Sequence, residues 1–242
     1  CQILPTDSEH NAIFQVFEPE NKKSISRLIL TASGGPFRSW SHEDILTATP
    51  AQAVKHPNWS MGAKISVDSA SLMNKALEVI EAHHLFAMAE DKIDVVVHPE
   101  SIVHSFVEYQ DGSVLAQLGA PDMRTPIAYC LSWPQRMATS GECLDIFKLS
   151  TLNFEAVRDD VFPSIKWAHE SLRAGQGACI ALNAANEVAV AHFLNKDIGF
   201  GRIYTIVEKM LETFSGREVH GLEDVISLDK EVRMASGNFI NL

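Results

Sequence analysis

The sequence predicts an α+β fold in which a mixed-sheet domain is followed by a bundle of helices. Short β-branched runs that stop at glycine turns occupy the first part of the chain. Two alternating segments flank Asp111-Gly112, and from Pro163 onward apolar residues recur at helical spacing. Residues 1–132 are accordingly read as an α+β domain carrying the chemistry, 133–160 as a connecting segment and 161–242 as a helical domain.

Each element has a local reason. Arg27 to Thr31 is a short apolar strand halted by Ser33-Gly34-Gly35-Pro36, a strong turn signal. Asp68 to Phe86 has the periodicity of one helix with Leu72, Met73, Ala76, Leu77 and Ile80 on its apolar side. Asp94 to Val97 is a second buried strand. Segments 102–109 and 113–118 favour a hairpin with a two-residue turn at Asp111-Gly112, where both positions need φ > 0. Residues 133–160, with Pro134 and Gly141, show little periodicity. Pro163 suits a first helical turn and Gly175 a helix end. Gln176 to Asn195 is alanine-rich, and Ile203, Val207 and Leu211 recur along a further helix.

Composition removes several function classes. With 242 residues and 46% hydrophobic content the chain can bury a sizeable core. Twenty basic against thirty-one acidic residues leave a net charge of −11, which argues against binding the phosphates of nucleic acid. Cys1, Cys130, Cys143 and Cys179 lack zinc spacing and fit thiols of a reducing cytoplasm. No apolar run approaches the roughly 20 residues that span a bilayer, so no membrane partner is expected. Gly175-Gln176-Gly177 follows a helix and lacks the third glycine, so it is not a dinucleotide fingerprint. The opening Cys1-Gln2-Ile3-Leu4-Pro5 is neither a signal peptide nor an initiator, and the chain is expected to begin inside a longer protein.

Two polar clusters stand out against their apolar surroundings. Thr6-Asp7-Ser8-Glu9 reads either as a capping box opening the helix His10 to Phe17 or as carboxylates presented to a site. Asn74, Lys75 and Glu78 share a helix face, either as a solvated ion pair or as ligands. Ser69 and Ser71 are caps or phosphate donors. Ser33-Gly34-Gly35 is a turn or a backbone that approaches a ligand. His56-Pro57-Asn58-Trp59-Ser60-Met61-Gly62 is a surface loop or a lid. His83, His84, His98 and His104 read as core or surface polar groups, and Asn183, Asn186 and Glu187 as buried packing. The carboxylates of Asp7, Glu9 and Glu78, the hydroxyls of Ser8 and Ser69, the Asn74 amide and the Lys75 ammonium are a suitable inventory for a hard divalent cation beside a phosphorylated polyol.

The motifs in series narrow the reading. Leu4 to Gln15, Ser33 to Phe37, His56 to Gly62, Lys64 to Ala70, Met73-Asn74-Lys75 with Glu78, Gln110 to Ser113, Pro121 to Arg124 and Leu182 to Glu187 resemble, in order, the 1-deoxy-D-xylulose 5-phosphate reductoisomerase family. The resemblance implies a homodimeric, cytoplasmic or plastid enzyme of non-mevalonate isoprenoid biosynthesis. It would use NADPH and Mg²⁺ or Mn²⁺ to convert 1-deoxy-D-xylulose 5-phosphate to 2-C-methyl-D-erythritol 4-phosphate. It implies that Asp7, Glu9 and Glu78 hold the metal and, with Lys75, form the catalytic set. Ser8, Glu9, Ser33, His56, Ser69, Asn74, Lys75 and Glu78 would bind substrate, Trp59 and Met61 would belong to the lid, and Gly62 would lie near the nicotinamide. The family's N-terminal NADPH domain is not represented, so this stretch alone is expected to bind without turnover. Ala32, where relatives often carry Gly, is a local departure. A metal-dependent sugar-phosphate aldolase or isomerase without nicotinamide, and a helical interaction module without catalysis, are the alternatives.

Overall fold

A computed structural model describes residues 1–59 and 61–241. In chain order the first elements are α1 (Ser8–Val16), β1 (Ile25–Ala32), α2 (His42–Leu46), α3 (Pro50–Ala53), α4 (Ala63–Ala70), α5 (Met73–Phe86) and β2 (Ile93–Val97). They are followed by β3 (Val103–Tyr109), β4 (Val114–Leu118), α6 (Arg124–Ser132), α7 (Ser164–Ala174), α8 (Gln176–Leu194), α9 (Phe200–Phe214) and α10 (Leu222–Ile240).

The chain divides into two compact units, 1–33 with 85–157 and 34–84 with 158–242. This differs from the linear division expected at 132 and 160. Residues 34–84 belong with the C-terminal helices because α4 packs on α8 and α2 on α9. Residues 133–157, expected as a connection, belong to the first unit. Val97 and Glu155 form an antiparallel bridge, and the His98 ring stacks on Phe154 at 4.7 Å.

In the first unit the sheet order is β2-β1-β3-β4. β1 pairs parallel to β2 (Leu28 opposite Ile93) and antiparallel to β3 (Leu28 opposite Val107), so the sheet is mixed as the sequence predicts. Leu28, Leu30, Val103 and Val107 are buried, and α1 lays Ala12 and Ile13 over β3 and β4. The β3–β4 turn is one residue longer than expected. The Tyr109 amide bonds the Ser113 carbonyl at 2.8 Å, and only Gly112 takes positive φ (87°). The Asp111 carboxylate accepts from the Ser113 amide instead, which closes a three-residue loop without a left-handed aspartate.

In the second unit Pro163 and Gly175 (φ 109°) bound α7 as their chemistry predicts. α8 is long and apolar enough to cross a membrane by length and composition, more than the sequence reading allowed, yet 56% of that window is buried among its own unit's helices. Alanines along α8 let α7, α9 and α10 approach it. The single helix expected over 68–86 is two helices. α4 ends at Ala70, Leu72 adopts φ 58°, and α5 starts at Met73, whose amide donates to the Ser71 hydroxyl at 3.3 Å.

Candidate functional site

In the first unit Pro5 to Asp7 runs extended into α1, with Asp7 at the N-cap (φ −59°, ψ 139°). The expected capping box of Thr6 with Glu9 is not formed: the helix begins at Ser8, so the N-cap position falls to Asp7, which makes no side-chain capping bond. Its Oδ2 instead lies 3.4 Å from Nδ1 of the buried His10, and 43% of its side chain remains exposed. Ser8 donates its hydroxyl to Glu9 Oε2. Both acids sit at the positive end of the helix. Ser33 stands one residue beyond β1.

The segment's position depends on Asn11, which the sequence reading did not single out as a site residue. Its Nδ2 donates to the Pro5 carbonyl at 2.9 Å, its Oδ1 accepts from Gln15 at 2.7 Å, and Cys130 Sγ donates to the same Pro5 carbonyl at 3.1 Å. The available signal was an amide on the buried face of α1, between His10 and Ala12, where a buried polar group requires partners.

In the second unit, Glu78 accepts from Asn74 Nδ2 at 2.5 Å through Oε1 and from Lys75 Nζ at 2.6 Å through Oε2. The i,i+4 and i,i+3 spacing brings the three together as predicted. The solvated-pair alternative fails, because the Lys75 and Glu78 side chains are each only 5% exposed. Ser69 lies in the last turn of α4. The glycine turn, expected either as a plain turn or as backbone approaching a ligand, brings its backbone against the protein itself. Gly35 (φ 63°) faces the Ser69 carbonyl, which a Cβ would meet at 2.5 Å.

The loop before α4 is tied by His56, whose Nδ1 accepts from the amides of Asn58 (3.1 Å) and Trp59 (2.9 Å). A neutral ring that accepts at Nδ1 carries its proton on Nε2. Trp59 and Met61 are half-buried, and Ser60 lies outside the described residues. Gly62 N-caps α4 with an ordinary φ of −61°, and among the described residues a Cβ there would meet nothing within 4 Å. The fold itself therefore does not demand glycine at this position.

Asp68 has a role beyond what its sequence position suggested. It is buried, with Oδ2 2.7 Å from Lys64 Nζ and Oδ1 accepting from Asn186 Nδ2 of α8 at 2.8 Å. Desolvation raises its pKa, against the opposing charge of Lys64 and the Asn186 hydrogen bond. Asn186 is thus buried packing as expected, with a bond that joins α8 to α4. Asn183 is only half-buried, and Glu187, expected as buried packing, instead keeps 38% of its side chain exposed and pairs with Arg233 at 2.7 Å.

Chemically, the first unit offers carboxylates suited to a hard cation, and the second offers a buried ammonium and amide beside a carboxylate and a helix-end serine. Residues 3–86 match the family described as 1-deoxy-D-xylulose 5-phosphate reductoisomerase C-terminal domain, and residues 118–235 match the DXP reductoisomerase C-terminal domain. The chain is 57% identical over 238 residues to the 1-deoxy-D-xylulose 5-phosphate reductoisomerase of Rhodospirillum centenum, covering 98% of this chain and 59% of that protein. It is 54% identical over 232 residues to the protein of the same name from Zymomonas mobilis, covering 96% and 60%. Among solved structures, a DOX-P reductoisomerase in complex with NADPH, fosmidomycin and magnesium aligns with TM-score 0.94 and 47% identity over 100% of this chain and 64% of that one. The Zymomonas mobilis enzyme in complex with NADPH aligns with TM-score 0.92 and 50% identity over 98% and 61%. The chain therefore spans about 60% of the length of these curated relatives.

Proposed function

Because the chain belongs to the family of 1-deoxy-D-xylulose 5-phosphate reductoisomerase C-terminal domains, we propose that it supplies the metal- and substrate-binding part of an enzyme that converts 1-deoxy-D-xylulose 5-phosphate to 2-C-methyl-D-erythritol 4-phosphate in isoprenoid biosynthesis. The observation that carries this reading is the buried Asn74–Lys75–Glu78 cluster, which is too desolvated to be an ornamental surface pair.

Asp7, Glu9 and Glu78 are assigned to hold Mg²⁺ or Mn²⁺. The donor set fits: all three offer carboxylate oxygens, and Asp7 is not spent on capping its helix. A cation there would polarise the carbonyl and hydroxyl oxygens of the bound substrate. Lys75 compensates the buried Glu78 charge and, with Asn74, presents N–H donors toward anionic or hydroxyl oxygens. Ser8, Ser33, Ser69 and the Nε2–H of neutral His56 are assigned to the remaining hydroxyl and phosphate oxygens. Trp59 and Met61 are assigned to a lid that excludes water, and the open space at Gly62 suits the close approach of a flat ring.

NADPH would supply the hydride that completes the reaction. It is assigned mainly to the part of the relatives that this chain does not span, since no dinucleotide fingerprint occurs in the 242 residues. The 242-residue polypeptide by itself is therefore expected to show no NADPH oxidation with substrate and saturating Mg²⁺. Four free thiols support a reducing cytoplasm, or a plastid in a eukaryote. A homodimer is supported within the first unit by the edge strand β4, with Val114, Leu115 and Leu118 exposed, and by exposed Ile127 and Leu131 on α6.

The deciding experiment is calorimetric titration with Mn²⁺. Glu78→Gln keeps size and removes charge, and should weaken binding at least about tenfold, on the order of 1.4 kcal/mol. Unchanged affinity would remove Glu78 from the cation site. Fosmidomycin added with Mn²⁺ should shift Trp59 fluorescence, and a full signal persisting in Trp59→Phe would refute the lid.

A further inference from the structure

The candidate site residues of the second unit lie on two helices, Ser69 on α4 and Asn74, Lys75 and Glu78 on α5. Their mutual placement is decided at the two residues between those helices. The sequence does not announce a break there: Ser71-Leu72 contains neither Gly nor Pro and the apolar periodicity runs straight through, and the local contribution is the Ser71 hydroxyl, which donates to the Asp68 carbonyl at 3.2 Å and accepts from the Met73 amide at 3.3 Å. Yet Leu72, buried at 3% exposure, sits at φ 58°, a region that a bulky side chain disfavours. Such a conformation persists only where the surroundings over-determine it.

The surroundings that do so come from the C-terminal helices. The Ser71 carbonyl, at the C-cap of α4, accepts from the Ser164 hydroxyl at the start of α7 (2.9 Å) and from the Tyr204 hydroxyl of α9 (3.4 Å). Ser164 and Ser71 are fully buried, and burial holds the Tyr204 phenol protonated far above its ordinary range. Less than one turn earlier, Asp68 of α4 accepts from Asn186 of α8 at 2.8 Å. Three separate helices thus place one hydrogen bond each on a four-residue stretch, 68–71, that ends immediately before the strained Leu72.

We infer that Ser164, Asn186 and Tyr204 are positioning residues that hold the α4–α5 break, and through it set Ser69 against Asn74, Lys75 and Glu78. The inference rests on the assignment of those four residues to substrate and metal. It gives the C-terminal helices a part in the geometry of the site in addition to their own packing.

The test uses the full-length protein with Ser164→Ala and Tyr204→Phe. Ser236→Ala is the control, because it removes an equally buried serine bond to a helix carbonyl (Val232, 2.8 Å) far from the break in sequence. Two readouts are taken. Amide exchange over residues 71–76, measured without ligand, should quicken in both variants and stay unchanged in the control. The KM for 1-deoxy-D-xylulose 5-phosphate should rise roughly tenfold in Ser164→Ala, with kcat changed by less than about twofold, because misplaced binding groups act on ground-state binding. Tyr204→Phe, which removes a longer bond and keeps the ring, should show the same pattern more weakly, and serves if Ser164→Ala fails to fold. Exchange and KM matching those of Ser236→Ala would overturn the inference. Quickened exchange together with unaltered Mn²⁺ affinity in Glu78→Gln would overturn the functional reading alone.

Discussion

Asp7 and Glu78 are both carboxylates assigned to one cation, yet their surroundings are opposite. Asp7 ends an extended segment of the sheet-built unit and keeps 43% of its side chain in solvent. Glu78 lies in the helix-built unit, 5% exposed, with a hydrogen bond to each oxygen. A half-exposed acid is easier to redirect toward a ligand, but its place depends on the backbone that carries it. A buried acid is already aimed, and its charge is tolerable only while Lys75 and Asn74 remain. The two acids should therefore fail differently under mutation.

The largest expected difference is in stability. Lys75→Met leaves Glu78 buried without its cation and should lower unfolding stability by about 3–5 kcal/mol in urea titration. Asp7→Asn should cost less than about 1 kcal/mol while still weakening Mn²⁺ binding. Equal losses would break the comparison. The double change Lys75→Met with Glu78→Met should recover most of the stability and none of the metal affinity, which separates the cost of an uncompensated charge from its use.

The exposed arm of the comparison is sharpened by Asn11. Asn11→Ala unpins the Pro5 carbonyl, and should cost about 1–3 kcal/mol and weaken Mn²⁺ binding although Asn11 is not a proposed ligand. Retained metal affinity would mean that Asp7 is held by something else.

A smaller effect separates the units by pH. Burial raises the pKa of Asp68 above 3.8, so the folded state takes up its proton more readily than the unfolded chain. Its contribution is fully present below 3.8 and is lost as pH rises through the raised value, so in this window stability grows as pH falls. Asp68→Asn should flatten that slope in urea midpoints measured across the carboxylate range. An effect of opposite sign belongs to Asp122 in the sheet-built unit. The neighbouring Arg124 lowers its pKa from 3.8 to about 2, so its contribution is present above 3.8 and is lost as pH falls through about 2. The Arg124 side chain is 57% exposed, against 15% for Asp122, so the slope should fade in part with added salt. A salt-insensitive slope there, or an Asp68 slope of the same sign as Asp122's, would contradict the assignment.

Local chemistry made much of the molecule legible. The stop of β1 at a glycine turn, the β3–β4 hairpin about Gly112, the Pro163 and Gly175 bounds of α7 and the shared face of Asn74, Lys75 and Glu78 all follow from contacts within a few residues. The length of the motifs, rather than any one of them, identified the family.

Other features were invisible because their causes lie far along the chain. Asp7 reads as part of a capping box until its side chain is seen directed to His10. Nothing near Leu72 announces a left-handed residue, since the groups that bond the carbonyl before it come from positions 164 and 204. The grouping of 34–84 with 158–242 likewise reflects which apolar faces match, and periodicity reports that a face exists but not its partner. Thus the sequence by itself determined the fold class and several element types and ends, which are short-range properties of backbone sterics and side-chain chemistry, while its candidate ligands came from the resemblance of whole motifs. Tertiary structure alone decided the break between α4 and α5, the burial that turns Lys75 and Glu78 into a preorganised pair, and the role of Asn11, because each depends on desolvation and hydrogen bonds between residues that only folding brings together.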